Sequence, residues 1–202
     1  MVIAFVSQKG GGGKTTLAIN LAGELAKRGK TLFVDSDRQA SARDWNNFRD
    51  HKPFVLSKWT TASLAEFIAN RPQYEFVVLD TPSGVAEIAK SAMNLSDLVI
   101  IPIQPSALDV WSADATIRVL SGIEKAPKAV CAINRKVVNA KITETAKAAL
   151  AKYELPLLKA EISQRVAFAE CIALGLTVGD MQPRGKAAQE MRALAQEILS
   201  VL

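Results

Sequence analysis

Two lysines, four consecutive glycines and two threonines crowd into residues 7–16, SQKGGGGKTT. A glycine-rich turn between a strand and a helix sets backbone N–H groups and the positive helix end against a phosphate, because glycine lets the chain come close. The standard spacing G-x-x-x-x-G-K-[ST] needs a first glycine at position 8, where this chain has Gln8. What remains is Lys9, Gly10, Gly11, Gly12, Gly13, Lys14, Thr15 and Thr16, a deviant form with an additional lysine. A turn that merely joined strand to helix would need no lysine and hydroxyl directly after its last glycine. Charge assigns the roles: Lys14 lies along the β- and γ-phosphates of a nucleotide, the Thr15 hydroxyl ligates Mg²⁺, and Thr16 reaches the α-phosphate. Lys9 precedes the tight part of the turn and can point away from its own nucleotide. Supplied to a second subunit, its cation would neutralise charge as the terminal phosphoryl group leaves, a task for which an arginine finger is worth about 10³–10⁵ in rate. Nucleotide-dependent dimerisation is therefore expected.

Two further apolar stretches end in aspartate, VDSD at 34–37 and VVLDTPSG at 77–84. Ligands of open α/β sheets gather beyond the carboxyl ends of the strands, so Asp35, Asp37 and Asp80 could converge on a nucleotide's Mg²⁺ and on the attacking water. Capping of the following helices is the other use for such residues. Asp80, after four apolar residues, fits the Walker B position that holds Mg²⁺ through water. Asp37, two residues past its strand, is better placed to orient the hydrolytic water. Ser83 and Gly84 form a turn where a γ-phosphate could be sensed.

These residues need a frame, and the chain supplies one by alternation. Residues 2–6, 31–35, 76–80, 98–103 and 129–133 are apolar runs of the kind that form strands buried on both faces. Segments 14–28, 62–70, 84–94, 106–124, 141–153 and 184–201 have helical period, and 36–60 reads as a loop plus a short helix. The expected fold is α/β, a single P-loop NTPase domain over residues 1–202 whose mostly parallel twisted sheet carries helices on both faces. Cys131 and Cys171 sit among apolar neighbours without CxxC spacing, which predicts buried, reduced thiols rather than a disulfide or metal framework. No apolar stretch approaches 18 residues and no charged leader precedes a long apolar region, so a cytoplasmic protein is expected.

KGGGGKTT, VDSDRQ, DTPSG, IIPIQPS at 100–106 and AIN at 132–134 occur in the order found in ParA-type partition ATPases, a deviant Walker A group that also holds MinD. The chain resembles that family over nearly its whole length, in the small form without an N-terminal DNA-reading extension. The resemblance implies ATP and Mg²⁺ as ligands and an ATP-sandwich homodimer in which Lys9 is the signature lysine. It makes Asp37 the switch aspartate, Asp80 the Walker B residue and Asn134 an adenine contact. It also implies non-specific, nucleoid-associated DNA binding and a separate centromere- or cargo-binding adaptor that stimulates weak intrinsic hydrolysis. Relatives position carboxysomes or chemosensory arrays by the same cycle, so plasmid and protein cargo both stay open. Two departures stand out: Arg38 follows the switch aspartate where the family usually has proline, and ISQR at 162–165 lacks the proline that helps frame adenine.

The net charge is +5, and the excess lies after residue 120, where 12 basic side chains face 8 acidic ones. Arg135, Lys136, Lys141, Arg165, Arg184 and Lys186, in loops or at helix ends, are the DNA candidates. Trp45, Trp59 and Trp111 suit core or interface packing better than base stacking. A membrane-associated MinD-like ATPase is the rival, but no lysine or arginine follows Arg192 to attract anionic lipid, so no stable membrane anchor is expected. An iron–sulfur or biosynthetic relative is the other, and neither cysteine is placed to ligate a cluster.

Overall fold

The structure, a computed structural model, describes residues 1–37, 41–49, 53–58 and 73–201. Six strands, β1 (Val2–Phe5), β2 (Thr31–Asp35), β3 (Val55–Lys58), β4 (Phe76–Asp80), β5 (Leu98–Ile103) and β6 (Lys128–Ile133), form one sheet in the order β3-β2-β4-β1-β5-β6. Every pairing is parallel. The helices are α1 (Lys14–Ala26), α2 (Ser41–Asn47), α3 (Ala86–Asn94), α4 (Ala107–Ser121), α5 (Ile142–Leu150), α6 (Val166–Ala173), α7 (Val178–Met181) and α8 (Lys186–Val201). A 3₁₀ turn, Ala151–Tyr153, extends α5.

Parallel strands need crossovers, and the helical crossovers bury both faces of the sheet, which is why the strands are apolar at successive positions. Ile3, Phe5, Phe33, Val78 and Ile100 point to the side covered by α1, α6 and α8. Their alternates Ala4, Val34, Leu79, Val99 and Ile101 pack under α3, α4 and α5. On α8, the residues Met191, Leu194, Ala195 and Ile198 are fully buried, so the apolar stripe of this helix is consumed by the core. Cys131 and Cys171 are buried free thiols, and burial pushes their pKa up to about 12 and about 11.

The five expected strands are present, with ends shifted by at most one residue. β3 is a correction, because it lies in the segment read as loop plus short helix; α2 is the helix expected there. β3 is a four-residue edge strand with Val55 exposed and Leu56 half-buried, so it lacks the two-sided apolar signature. The helix expected over 62–70, Trp59 and Arg38 lie outside the described residues. Trp45 packs in the core, stacked on Phe54 with centroids 5.6 Å apart, whereas Trp111 does not and stands 64% exposed on α4 beside Leu108. Among the described residues no helix is long and apolar enough to cross a membrane.

The register sets the functional edge. Phe5 is level with Asp80, and Asp80 with Asp35, so the chain leaves β1, β2 and β4 side by side at one end of the sheet. Removing packing from α8 tests the frame. Leu194→Ala should lower unfolding free energy by about 2–5 kcal/mol, against within about 0.5 kcal/mol for exposed Leu108→Ala, read from denaturant midpoints. Equal losses would put the core elsewhere.

Candidate functional site

The glycine run is the connection from β1 to α1. Gly11 (φ 79°) and Gly13 (φ 80°) hold the left-handed conformation that side chains avoid. Gln8 does not have positive φ, and its N–H donates to Thr116 Oγ1 at 3.2 Å. Position 8 is ordinary backbone here, so the glycine missing from the standard spacing is not required. Gly13 is the N-cap of α1, no side chain caps it, and the first turn carries no acid. The helix therefore presents its N-terminal N–H groups to the loop's concave side.

Three neighbouring strands pin the loop through the segments that follow them. Ser83, after β4, donates its hydroxyl to the Lys9 carbonyl at 3.1 Å. Gln104, after β5, donates to the Gly11 carbonyl at 2.9 Å, and Asn134, after β6, to the Gly12 carbonyl at 2.8 Å. A Cβ on Gly13 would stand 2.5 Å from the Asn134 amide nitrogen, a contact no side chain can make. Asn134 is thus a buried anchor of the loop.

Lys14 is 6% exposed. Its ammonium donates to Ser83 Oγ at 2.5 Å and to the Lys9 carbonyl at 3.4 Å, and it is in no salt bridge among the described residues. Burial pulls its pKa down, while the fields of Asp80 and Asp37 pull it up. A buried cation with only neutral partners suits an anion.

The carboxylates are buried as unequal partners. Asp80 is 1% exposed and neither oxygen has a hydrogen-bond partner. Burial pushes its pKa up to about 7; the Thr15 hydroxyl beside it, short of a well-formed hydrogen bond, and the Lys14 charge pull it down, and Asp35 and Asp37 push it higher. Asp35 accepts the Asp37 N–H at 3.0 Å through one oxygen, and its other oxygen has no partner; burial raises its pKa too. Among the described residues no group of three or more His, Cys, Asp or Glu side chains is set to hold a metal by itself, so the three aspartates do not converge as one ligand set. Orphaned hard oxygens on Asp80, next to the Thr15 hydroxyl, fit Mg²⁺, which takes one or two protein oxygens and completes its shell with phosphate and water.

The loop floors a well of about 520 Å³ lined also by Asp37, Ser83 and Arg135. It opens past Gly13, Thr16 and Arg135 into a wider groove of about 1080 Å³ walled by Val137, Val138, Val166 and Phe168. A polar well joined to an apolar groove matches a phosphate chain joined to a planar base. Ser163 lines this groove at one of the positions where proline is absent. Its N–H and hydroxyl donate to Glu190 at 3.1 and 2.8 Å, and the Arg165 guanidinium grips the same carboxylate at 2.6 Å. Glu190 thereby fixes a segment that has no proline.

Several DNA candidates are engaged elsewhere. Arg135 lines both the well and the groove. Lys136 is ion-paired with Glu161, which also takes Lys147, and Arg165 is held by Glu190. Lys141, Arg184 and Lys186 are exposed and in no salt bridge among the described residues.

Lys9 points to its own chain: its ammonium is 2.9 Å from Asp109 Oδ2 in the first turn of α4. Asp109, Gln104 and Glu190 are functional-site residues that the sequence reading missed. Asp109 had a signal, the S-x-x-D spacing of PSALD that marks a helix start. Gln104 lies inside the IIPIQPS motif, but its contact with Gly11, 93 residues away, left no local mark.

Comparison with known proteins agrees with this geometry. The family model described as "CobQ/CobB/MinD/ParA nucleotide binding domain" matches residues 3–178. "Maintenance of carboxysome distribution protein A" of Halothiobacillus neapolitanus is 27% identical over 206 residues, covering 98% of this chain and 95% of that one. "Protein ParA" of Rhizobium radiobacter is 30% identical over 165 residues, 80% of this chain and 72% of that one. A putative plasmid partition protein of Borrelia burgdorferi B31 bound to AMPPNP superposes with a TM-score of 0.82 at 22% identity, covering 100% of this chain and 99% of that one.

The Asp80 environment makes a pH prediction. Its folded pKa, about 7, lies above the unfolded value near 4, so the folded chain binds the extra proton and stability is lost as pH rises between those values. Asp80→Asn should raise the melting temperature of nucleotide-free protein at pH 8 and change it little at pH 4. An unchanged or lower melting temperature at pH 8 would show that the carboxylate is already compensated.

Proposed function

Since the chain belongs to the CobQ/CobB/MinD/ParA nucleotide-binding family, we propose that it is an ATP hydrolase of the partition and positioning kind, one domain over residues 1–202 that dimerises on ATP. The observation that carries this reading is a buried Lys14 ammonium with no carboxylate partner and a buried Asp80 with no donor, both beside the start of α1, whose N-terminus no side chain caps.

Gly10, Gly11, Gly12 and Gly13 give their backbone to the phosphates, Lys14 spans the β- and γ-phosphates, and Thr16 takes the α-phosphate. Thr15, Asp80 and Asp37 form the Mg²⁺ side of the site. The ion, when bound, neutralises phosphate charge that these side chains cannot. Asp37, at the rim of the well, orients a water to attack the γ-phosphorus while the bond to the β–γ bridging oxygen breaks, leaving ADP and phosphate. Asn134 spends its amide nitrogen on Gly12, and its carbonyl oxygen is left to accept from the adenine amino group. Lys9 serves the triphosphate of a second copy, so the γ-phosphate is the ligand that separates two assembly states.

As a dimer the protein coats nucleoid DNA through exposed Lys141, Arg184 and Lys186, and an adaptor carried by a large cargo stimulates hydrolysis and release. One relative is named for carboxysome distribution and the superposed Borrelia protein for plasmid partition, and both uses fit this cycle. The burial of the α8 stripe in the core leaves that helix no apolar face for a membrane surface and favours DNA.

Light scattering and DNA binding, measured together with ATP, ADP and no nucleotide, test the reading. The expected result is monomer without ATP and a DNA-bound dimer with it. DNA affinity should be weak, about 10⁻⁴–10⁻⁶ M, and fall steeply with salt. Lys9→Ala should retain nucleotide binding and lose turnover. One assembly state under all three conditions, or full turnover by a monomeric Lys9→Ala protein, would overturn it.

A further inference from the structure

We propose that Asp109 is a positioning residue for Lys9: it binds the Lys9 ammonium to its own chain, and that ion pair must open before Lys9 can serve another subunit's phosphates. The proposal rests on the ATP-dimer reading above and adds to it the group that the triphosphate must displace.

The pair is built to hold. Asp109 Oδ2 lies 2.9 Å from Lys9 Nζ, with the carboxylate side chain 9% exposed and the lysine side chain 39% exposed. Asp109 has little freedom of its own: it receives the Ser106 hydroxyl, and its N–H donates back to Ser106 Oγ at 3.1 Å. A carboxylate in the first turn is also favoured by the helix dipole. Lys9 is the movable partner, a point charge on a four-carbon stem that leaves the loop before its tight part. Its backbone stays put, because the Lys9 carbonyl accepts from both Ser83 and Lys14. The other cation in the loop, Lys14, goes to Ser83. The ammonium therefore has a fixed anionic seat 100 residues away in sequence.

One ammonium cannot sit at full strength against two anions. Transfer from Asp109 is favourable only where the incoming anion is the stronger partner, which a γ-phosphate with its Mg²⁺ supplies and a diphosphate does so less. Asp109 thus sets a threshold that sharpens discrimination between ATP and ADP. A ligand shifts an equilibrium only by its differential interaction with the two states; the ion pair leaves that difference unchanged and moves the starting point, so that the larger ATP contribution crosses into the docked state where the ADP contribution falls short.

The test is the protein concentration at half dimerisation, by light scattering, with ATP and with ADP. Asp109→Asn keeps the side-chain shape and an acceptor for Ser106 but removes the charge. It should lower the midpoint with ATP about three- to tenfold, the range for one partly exposed ion pair, and give detectable dimer with ADP. Asp109→Glu, which restores the charge, should return the midpoint towards wild type, an outcome loss of a helix cap does not give. Lys9→Ala with and without Asp109→Asn should behave identically, because the effect passes through Lys9. If Asp109→Asn does not fold, Asp109→Ser carries the same comparison. An unchanged or raised midpoint, no rescue by glutamate, or an equal shift in the Lys9→Ala background would overturn the inference. Wild-type protein that fails to dimerise with ATP would instead overturn the functional reading beneath it.

Discussion

The structure is organised around charges buried at one end of a parallel sheet without neutralising each other. Lys14, Asp35 and Asp80 are each nearly inaccessible, and two of the three carry oxygens with no donor. Burying a charge without a partner costs on the order of several kcal/mol, so a chain carries such groups where something else completes them. A phosphate chain with its divalent cation supplies both signs at once: anionic oxygens for the ammonium and the helix N-terminus, a cation for the aspartates. The raised pKa of Asp80, about 7, is the same incompleteness expressed as proton affinity.

Everything that holds these groups is distant in sequence and adjacent in the sheet. β1 lies between β4 and β5, so the glycine loop leaves the sheet flanked by the turn after β4 and the turn after β5, with the turn after β6 one strand further out. Ser83, Gln104 and Asn134 reach it from those turns, each with one hydrogen bond to a loop carbonyl. Glycines at positions 11 and 13 leave the loop without side chains to define its shape, so shape comes from outside. This explains why glycine is dispensable at position 8. There the backbone bends without a positive φ and is tied to Thr116.

Most of the frame and the loop was legible because the signals are local. An apolar run followed by glycines, lysine and threonine encodes a strand, a loop and a helix start within fifteen residues, and β2, β4, β5 and β6 announce themselves by being apolar on both faces. β3 was illegible for the complementary reason: an edge strand of four residues has only one covered face. The supporting contacts were illegible because each depends on the fold. Nothing near Glu190 says that it holds Ser163 and Arg165, and the basic surplus after residue 120 conceals that Lys136 and Arg165 are ion-paired and that Arg135 stands at the well. Net charge counts side chains, while a DNA surface needs those with no carboxylate beside them.

Lys9 shows how a single residue can be read correctly in part. The sequence left a cation free to point away from its own nucleotide, and the structure places its ammonium against Asp109 of the same chain. An ammonium simply left in solvent would bring its whole favourable interaction to any nearby anion, diphosphate or triphosphate. One that starts from a fixed carboxylate brings only the difference between two anions. That difference can change sign between nucleotides even when each interaction alone is favourable. A switch of the kind proposed needs such a reference state as much as it needs the triggering contact, and the carboxylate that would supply it stands in the first turn of α4.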